Sequence, residues 1–215
     1  MMRLECNKNS IDRPMFLFAT NNPGKVKEIK PLFESAGFEL KSLADLGLSF
    51  EPEETGDTFL ENAMIKAVET LEFLQKNGHD NFVVLADDSG LCINALGGDP
   101  GVDSANFMGR QTPYEVRNAW IVEQLASAAD RAAKFKCVIA CAFDDGMVLS
   151  TEGEIHGEIA QAPAGCGGFG YDPIFYLPEY GKTSAELSLE EKNKISHRGV
   201  ALKLMIETLK DIEWM

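Results

Sequence analysis

The sequence predicts an α/β fold, because short apolar runs of strand length alternate with segments of helical periodicity, and glycine, proline and capping residues mark the junctions. A third observation agrees. Phe82-Val83-Val84-Leu85-Ala86 is a continuous apolar run of the kind buried inside a sheet, and it delivers Asp87-Asp88-Ser89-Gly90 at its end. With 215 residues and 45% hydrophobic content there is chain enough for one sizeable core or for two lobes on a shared sheet, and one compact unit is expected.

Met1 to Pro14 carry no apolar signal core and are expected to form a flexible extension ahead of a single domain over residues 15–215. Met15 to Thr20 has strand character and stops at Asn21-Asn22-Pro23-Gly24, which supplies a turn, an N-cap and a first-turn proline for a helix. That helix has Val26, Ile29, Leu32, Phe33 and Ala36 on its apolar face and ends at Gly37, with a kink or restart expected at Pro31. Phe38 to Leu43 reads as a second strand, and Glu51 to Gly56 as an acidic loop. Asp57 or Thr58 then caps a helix that turns Phe59, Ala63, Ala67, Leu71 and Leu74 toward the core. Beyond the apolar run and a glycine-rich turn at Gly97 to Gly101 come a helix around Pro113 to Ala129 and a strand from Phe135 to Phe143. Asp144-Asp145-Gly146 makes a hairpin turn into an antiparallel strand starting at Met147. An acidic, glycine-rich stretch follows, then the short run Ile174 to Leu177 and a last helix from about His197 to Lys210.

The formal net charge of −14 argues against a nucleic-acid polymer as partner, since a duplex demands a broad basic surface. A small anion needs only a few cations focused on one cleft, with a divalent metal supplying the rest. The five cysteines form no C-x-x-C pair and read as reduced thiols, with Cys137 and Cys141 facing one side of a strand as core residues. No segment approaches a membrane-spanning run of ~20 apolar residues, so a soluble cytoplasmic protein is expected.

Four constellations carry chemistry. Thr20-Asn21-Asn22-Pro23-Gly24-Lys25 joins a strand to a helix start, where unpaired N–H groups, a glycine and a lysine suit a phosphate; the Walker spacing is absent, and alone an ordinary capped helix with a solvated lysine explains it as well. Glu53-Glu54, Glu61, Lys66 and Asp87-Asp88 form a carboxylate-rich set from which two groups suffice for Mg²⁺, and strand alternation lets only one of the two aspartates enter a cleft directly. The competing account is a set of solvated acidic loops, least attractive for an aspartate pair closing a buried run. In Gly167-Gly168-Phe169-Gly170-Tyr171-Asp172-Pro173 the glycines clear space around an aromatic face able to stack on a base, or else make a structural turn with a core phenylalanine. In Glu190 to Gly199, Ser196 caps the last helix while His197 and Arg198 put cations where they oppose its dipole, so an anionic or carbonyl-bearing ligand is expected to compensate them.

Taken together and in this order, Thr20 to Lys25, Glu53-Glu54-Thr55-Gly56, Ala86-Asp87-Asp88-Ser89-Gly90-Leu91, Gly168 to Pro173 and Ser196-His197-Arg198-Gly199 resemble the inosine/xanthosine triphosphate pyrophosphatase (Ham1-like) family from about residue 15 to 210. The resemblance implies an elongated central mixed sheet with flanking helices, two lobes around a cleft, and a homodimer. It further implies that Thr20, Asn21, Asn22, Pro23, Gly24, Lys25 and Lys66 hold a triphosphate, that Glu54 and Asp88 bind Mg²⁺, and that Asp88 activates the attacking water. Ser89 would contact the nucleotide, Phe169 would stack on the purine within the Gly170-Tyr171 turn, and Asp172, Lys192, His197 and Arg198 would line the base pocket. The implied reaction splits ITP, dITP or XTP into monophosphate and pyrophosphate. The alternatives are a sensor that binds purine nucleotides without cleaving them and a pyrophosphatase for other modified nucleotides, with DNA repair least favoured by charge.

Overall fold

The computed structural model describes residues 15–212; the extension expected at 1–14 lies outside the described residues. The strands are β1 (Met15–Phe18), β2 (Leu40–Ser42), β3 (Phe82–Ile93), β4 (Ala132–Ala142), β5 (Val148–Ile159), β6 (Phe175–Leu177) and β7 (Lys182–Thr183). The helices are α1 (Pro23–Ser35), α2 (Phe59–Lys76), α3 (Tyr114–Gln124), α4 (Leu189–Ile195) and α5 (His197–Lys210), with short 3₁₀ turns between elements. All seven strands join one mixed sheet in the order β2-β1-β3-β4-β5-β6-β7. β1 runs parallel to β2 and β3, and every later pairing is antiparallel.

Period-2 alternation along β3 sorts the layers. Val83 and Leu85 face α1 and α5, packing with Phe16, Phe18, Cys137, Ile139 and Cys141. Val84 and Ala86 face α2, where Ala63, Ala67, Leu71 and Leu74 meet them as the helical spacing predicts. A third apolar cluster forms further along the same strands, with Leu91, Ile93, Ala133, Phe135 and Ile159 packed on Ile121 and Leu125 near α3. The twelve residues of β3, at ~3.3 Å each, are therefore a common spine of roughly 40 Å for two lobes.

Several boundaries differ from the sequence reading. The run at 82–86 does not end at the aspartates: β3 continues to Ile93 and places Asp87 and Asp88 in mid-strand. The acidic, glycine-rich stretch is largely the second half of β5. α1 passes Pro31 without restarting, and α3 is shorter than expected. Thr58, rather than Asp57, caps α2, and Glu61 closes the capping box by accepting from the Thr58 N–H. Among the described residues no helix is long and apolar enough to cross a membrane.

Candidate active site

The cleft exists because β1 stops early. Its last link to β3 is the Ala19 N–H donating to Leu85 O at 2.7 Å, after which β3 runs on while the chain at Thr20 turns away into α1. Thr20 Oγ1 accepts from Asn22 N at 3.1 Å, and Asn22 Oδ1 accepts from Gly24 N at 2.9 Å and Lys25 N at 3.4 Å. These bonds correct the expectation of open N–H donors at the helix start: Asn22 already caps two of them, so positive charge at this end comes mainly from the Lys25 ammonium. Asn22 and Lys25 line the cleft. Thr20, Asn21, Pro23 and Gly24 shape the turn instead, with Asn21 donating to Phe50 O at 3.3 Å and Pro23 exposed as the first helical residue.

Asp87 and Asp88 point to opposite faces of the sheet. Asp87 follows Val83 and Leu85 toward α1 and α5, where it pairs with Lys25 at 2.9 Å and accepts from Arg198 Nε and Nη2, each at 3.1 Å. Burial works to raise the Asp87 carboxyl, but Lys25, Arg198 and Lys66 outweigh it and hold the group well below the usual carboxylate range. Asp88 follows Val84 and Ala86 toward α2 and lines the cleft beside Ser89. Its Oδ1 accepts from Lys66 Nζ at 2.8 Å, Glu54 stands 3.2 Å from the same ammonium, and its Oδ2 is buried without a hydrogen-bond partner. Burial pushes the Asp88 carboxyl up to about 6, against the pull of Lys66. Burial likewise works to lower the Lys66 ammonium, yet Asp88, Asp87 and Glu54 together raise it.

Arg198 needs no ligand to balance it, contrary to the sequence reading. Its Nη1 donates to Glu28, and Glu28 accepts from Lys192 at 2.7 Å, which in turn donates to Asp172 at 2.6 Å. An alternating chain of charge results, buried beyond its half-buried first member: Lys25, Asp87, Arg198, Glu28, Lys192, Asp172, three cations and three anions drawn from α1, β3, α5, α4 and the turn before β6. Glu28 is the residue sequence reasoning missed. It lies one turn beyond Lys25 on α1, and that spacing was the only available signal. Of the five N–H groups on a guanidinium, four are committed by the bonds from Arg198 to Asp87, Ser89 and Glu28, which leaves one on Nη1.

At the other end of the cleft stands Phe169. Asp172 Oδ2 accepts from its backbone N–H at 2.8 Å and so ties the aromatic residue to the charge chain. The Lys192 ammonium lies 5.1 Å and the Arg198 guanidinium 5.6 Å from the ring centroid. A Cβ on Gly24 would stand 2.7 Å from the ring, so that glycine is what lets α1 approach it. The Tyr171 hydroxyl is already committed, donating to Ser104 O at 2.8 Å. His197 is stacked on Phe135 with centroids 4.7 Å apart, and its Nδ1 is buried without a partner. Burial, with Arg198 and Lys192 nearby, holds that imidazole well below its usual range, hence neutral near pH 7. Val102, Ser104, Ala105 and Tyr114 supply a further wall that no motif announced.

One groove thus joins Lys25, Lys66, Glu54 and Asp88 to Gly170, Asp172, Lys192, His197 and Arg198 around Phe169. The family model described as the Ham1 family matches residues 16–208. The chain belongs to the Ham1 family. A dITP/XTP pyrophosphatase of Thermus thermophilus is 47% identical over 197 residues, covering 91% of each chain. One of Clostridium perfringens is 43% identical over 199 residues, covering 92% of this chain and 98% of its own. The Ham1 protein of Staphylococcus aureus superposes with a TM-score of 0.79 at 39% identity, over 91% of this chain and 98% of that one. A HAM1 protein from Coxiella burnetii gives 0.80 at 38%, over 93% and 100%. The family's mixed sheet with flanking helices is the fold described above.

Proposed function

We propose that this Ham1-family chain hydrolyses the triphosphates of non-standard purines, ITP, dITP and XTP, between the α- and β-phosphates, leaving the monophosphate and pyrophosphate. The observation that carries this reading is the single groove with Lys25, Lys66 and Asp88 at one end and the Phe169 shelf at the other. The dITP/XTP pyrophosphatases to which the chain is similar support the same substrate class.

Among the described residues no cluster of three metal-ligating side chains stands together, but Mg²⁺ commonly takes one or two carboxylates and completes its shell with water and phosphate oxygens. Glu54 and Asp88, facing each other across Lys66, meet that demand, and the unpartnered Asp88 Oδ2 is the donor atom they leave available. When bound, the ion withdraws charge from the phosphoryl oxygens and makes a neighbouring water more acidic. The chain's own groups do the remainder. Asp88 accepts the proton of the attacking water, while Lys25 and Lys66 offset charge that develops on the phosphoryl oxygens and the departing pyrophosphate. Phe169 stacks on the purine. A sensor that bound without cleaving would have no use for the Glu54 and Asp88 pair.

Selectivity follows from unsatisfied groups. A 6-oxo purine can accept from the remaining Arg198 N–H, whereas the 6-amino group of adenine leaves that donor unpaired, a difference worth up to about 10⁴-fold. Comparison of kcat/KM for ITP, XTP, GTP and ATP tests this: ITP and XTP are expected to exceed ATP by at least ~10²-fold, and equal values for ATP and ITP would overturn it. The resemblance also supports a homodimer and residues 15–215 as one catalytic domain. Unpaired thiols at Cys92, Cys137, Cys141 and Cys166 support a reducing, cytoplasmic setting.

A further inference from the structure

We propose that Arg117 is the positioning residue for the wall of the cleft built by residues 101–110, and that through this wall it sets the affinity for the nucleotide; the inference rests on the hydrolase reading above. Arg117 is 1% exposed and has no ion pair among the described residues. A buried guanidinium is costly unless its hydrogens are accepted, and here backbone carbonyls accept those of Nη1 and Nη2, while Nε is buried without a partner. Nη1 donates to Ser104 O at 3.2 Å and Ala105 O at 2.8 Å, and Nη2 to Gly109 O at 2.9 Å and Arg110 O at 3.5 Å. The segment it holds is a poor candidate for holding itself. It is a 3₁₀ turn followed by turns that take Met108 to φ 62° and Gly109 to φ 100°, and Met108 is exposed.

The wall is also pinned at the catalytic strand. Ser104 Oγ accepts from Leu91 N at 2.9 Å and donates to Gly101 O at 2.6 Å, and a Cβ on Gly90 would come within 2.1 Å of that same Gly101 carbonyl. Ser104 O, which accepts from Arg117, accepts also from the Tyr171 hydroxyl of the aromatic loop at 2.8 Å. The next residue of α3, Asn118, donates to Gly170 O at 3.1 Å. Two successive side chains of one helix thus grip both walls of the base end: Arg117 the side carrying Val102, Ser104 and Ala105, Asn118 the side carrying Phe169. Arg117 makes no bond to Lys25, Lys66 or Asp88, so its loss is felt in binding rather than in the chemical step.

The test uses the full chain with Mg²⁺ and ITP. Arg117→Met, which keeps bulk and removes the donors, is expected to raise KM for ITP by about tenfold or more while kcat stays within ~3-fold. Amide exchange over residues 101–112 should quicken by about tenfold in the same variant, with β4 unchanged. Arg117→Lys, which keeps the charge but not the planar fork, is expected to fall between the two; should Arg117→Met not fold, the lysine variant decides by the same two readouts. A folded variant with wild-type KM and unaltered exchange over 101–112, or one that loses kcat and melting temperature together at constant KM, overturns the proposal. Failure of the wild-type chain to hydrolyse ITP would count against the hydrolase reading alone, because the exchange measurement still reports on the grip of Arg117.

Discussion

Asp87 and Asp88 are neighbours in sequence, yet strand alternation gives them different cations and different acidities. Asp87, enclosed by Lys25 and Arg198, is fixed as a carboxylate, whereas Asp88 lines the cleft with one buried oxygen left without a hydrogen-bond partner. Asp88→Asn preserves shape and leaves Lys66 its contact with Glu54, so kcat is expected to fall at least ~10²-fold with the melting temperature nearly unchanged; steady-state kinetics beside a thermal melt checks this, and retained activity would refute the role of Asp88. Glu28 carries the opposite signature. It is 4% exposed and answers both Lys192 and Arg198, so Glu28→Ala leaves buried positive charge in excess and is expected to cost about 3 kcal/mol in urea unfolding. A loss below about 1 kcal/mol would show that Asp87 and Asp172 suffice. The aspartates were legible in the sequence because a charged pair interrupts an apolar run. Glu28 was not, because a glutamate on an otherwise amphipathic helix carries no mark of burial until α4 and α5 are packed against it.

At the scale of elements, the misread segments are those where function breaks the pattern. β3 looked finished at Ala86 because Asp87, Asp88 and Ser89 replace apolar residues at the cleft, although Leu91 and Ile93 resume the alternation beyond it. The second half of β5 was hidden differently. The strand's outer face bears Glu152 and Glu154, which pair with Lys136 at 2.8 Å and Lys134 at 2.9 Å on β4, while its inner face interrupts the apolar Leu149, Ile155 and Ile159 with Thr151, Gly153 and Gly157. Those glycines serve close packing: a Cβ on Gly153 would stand 2.2 Å from His197 O and 2.6 Å from Ala201 N on α5, and one on Gly157 would stand 2.5 Å from Tyr176 O. Gly153→Ala must therefore push the first turn of α5 off the sheet and carry His197 and Arg198 with it. A stability loss of about 1–3 kcal/mol together with a raised KM for ITP is expected in denaturant and kinetic measurements; a melt and KM like the wild type would mean that α5 yields without disturbing the cleft. Helix termini were the easiest features to read, since Asn22, Thr58 and Ser196 cap through local side chains whose partners lie within three residues.

Across the whole molecule, net negative charge and an anionic substrate are reconciled by confinement. The chain carries −14 overall, yet Lys25, Lys66, Lys192 and Arg198 gather on one groove, each held by carboxylates within the protein. The alternating ion-pair chain that holds most of them draws on four elements and one turn, so the phosphate end and the base end are parts of a single electrostatic construction. Order along the sequence foretold which motifs meet. The wall at 101–110 stayed invisible because it is built from backbone carbonyls and small side chains. The claim on which the rest depends is that this groove presents the α-phosphorus to water, and the most direct measurement is to incubate the full chain with ITP and Mg²⁺ and resolve the products by anion-exchange chromatography. IMP with pyrophosphate, lost on chelation of the metal, is the expected result; IDP with inorganic phosphate would contradict it.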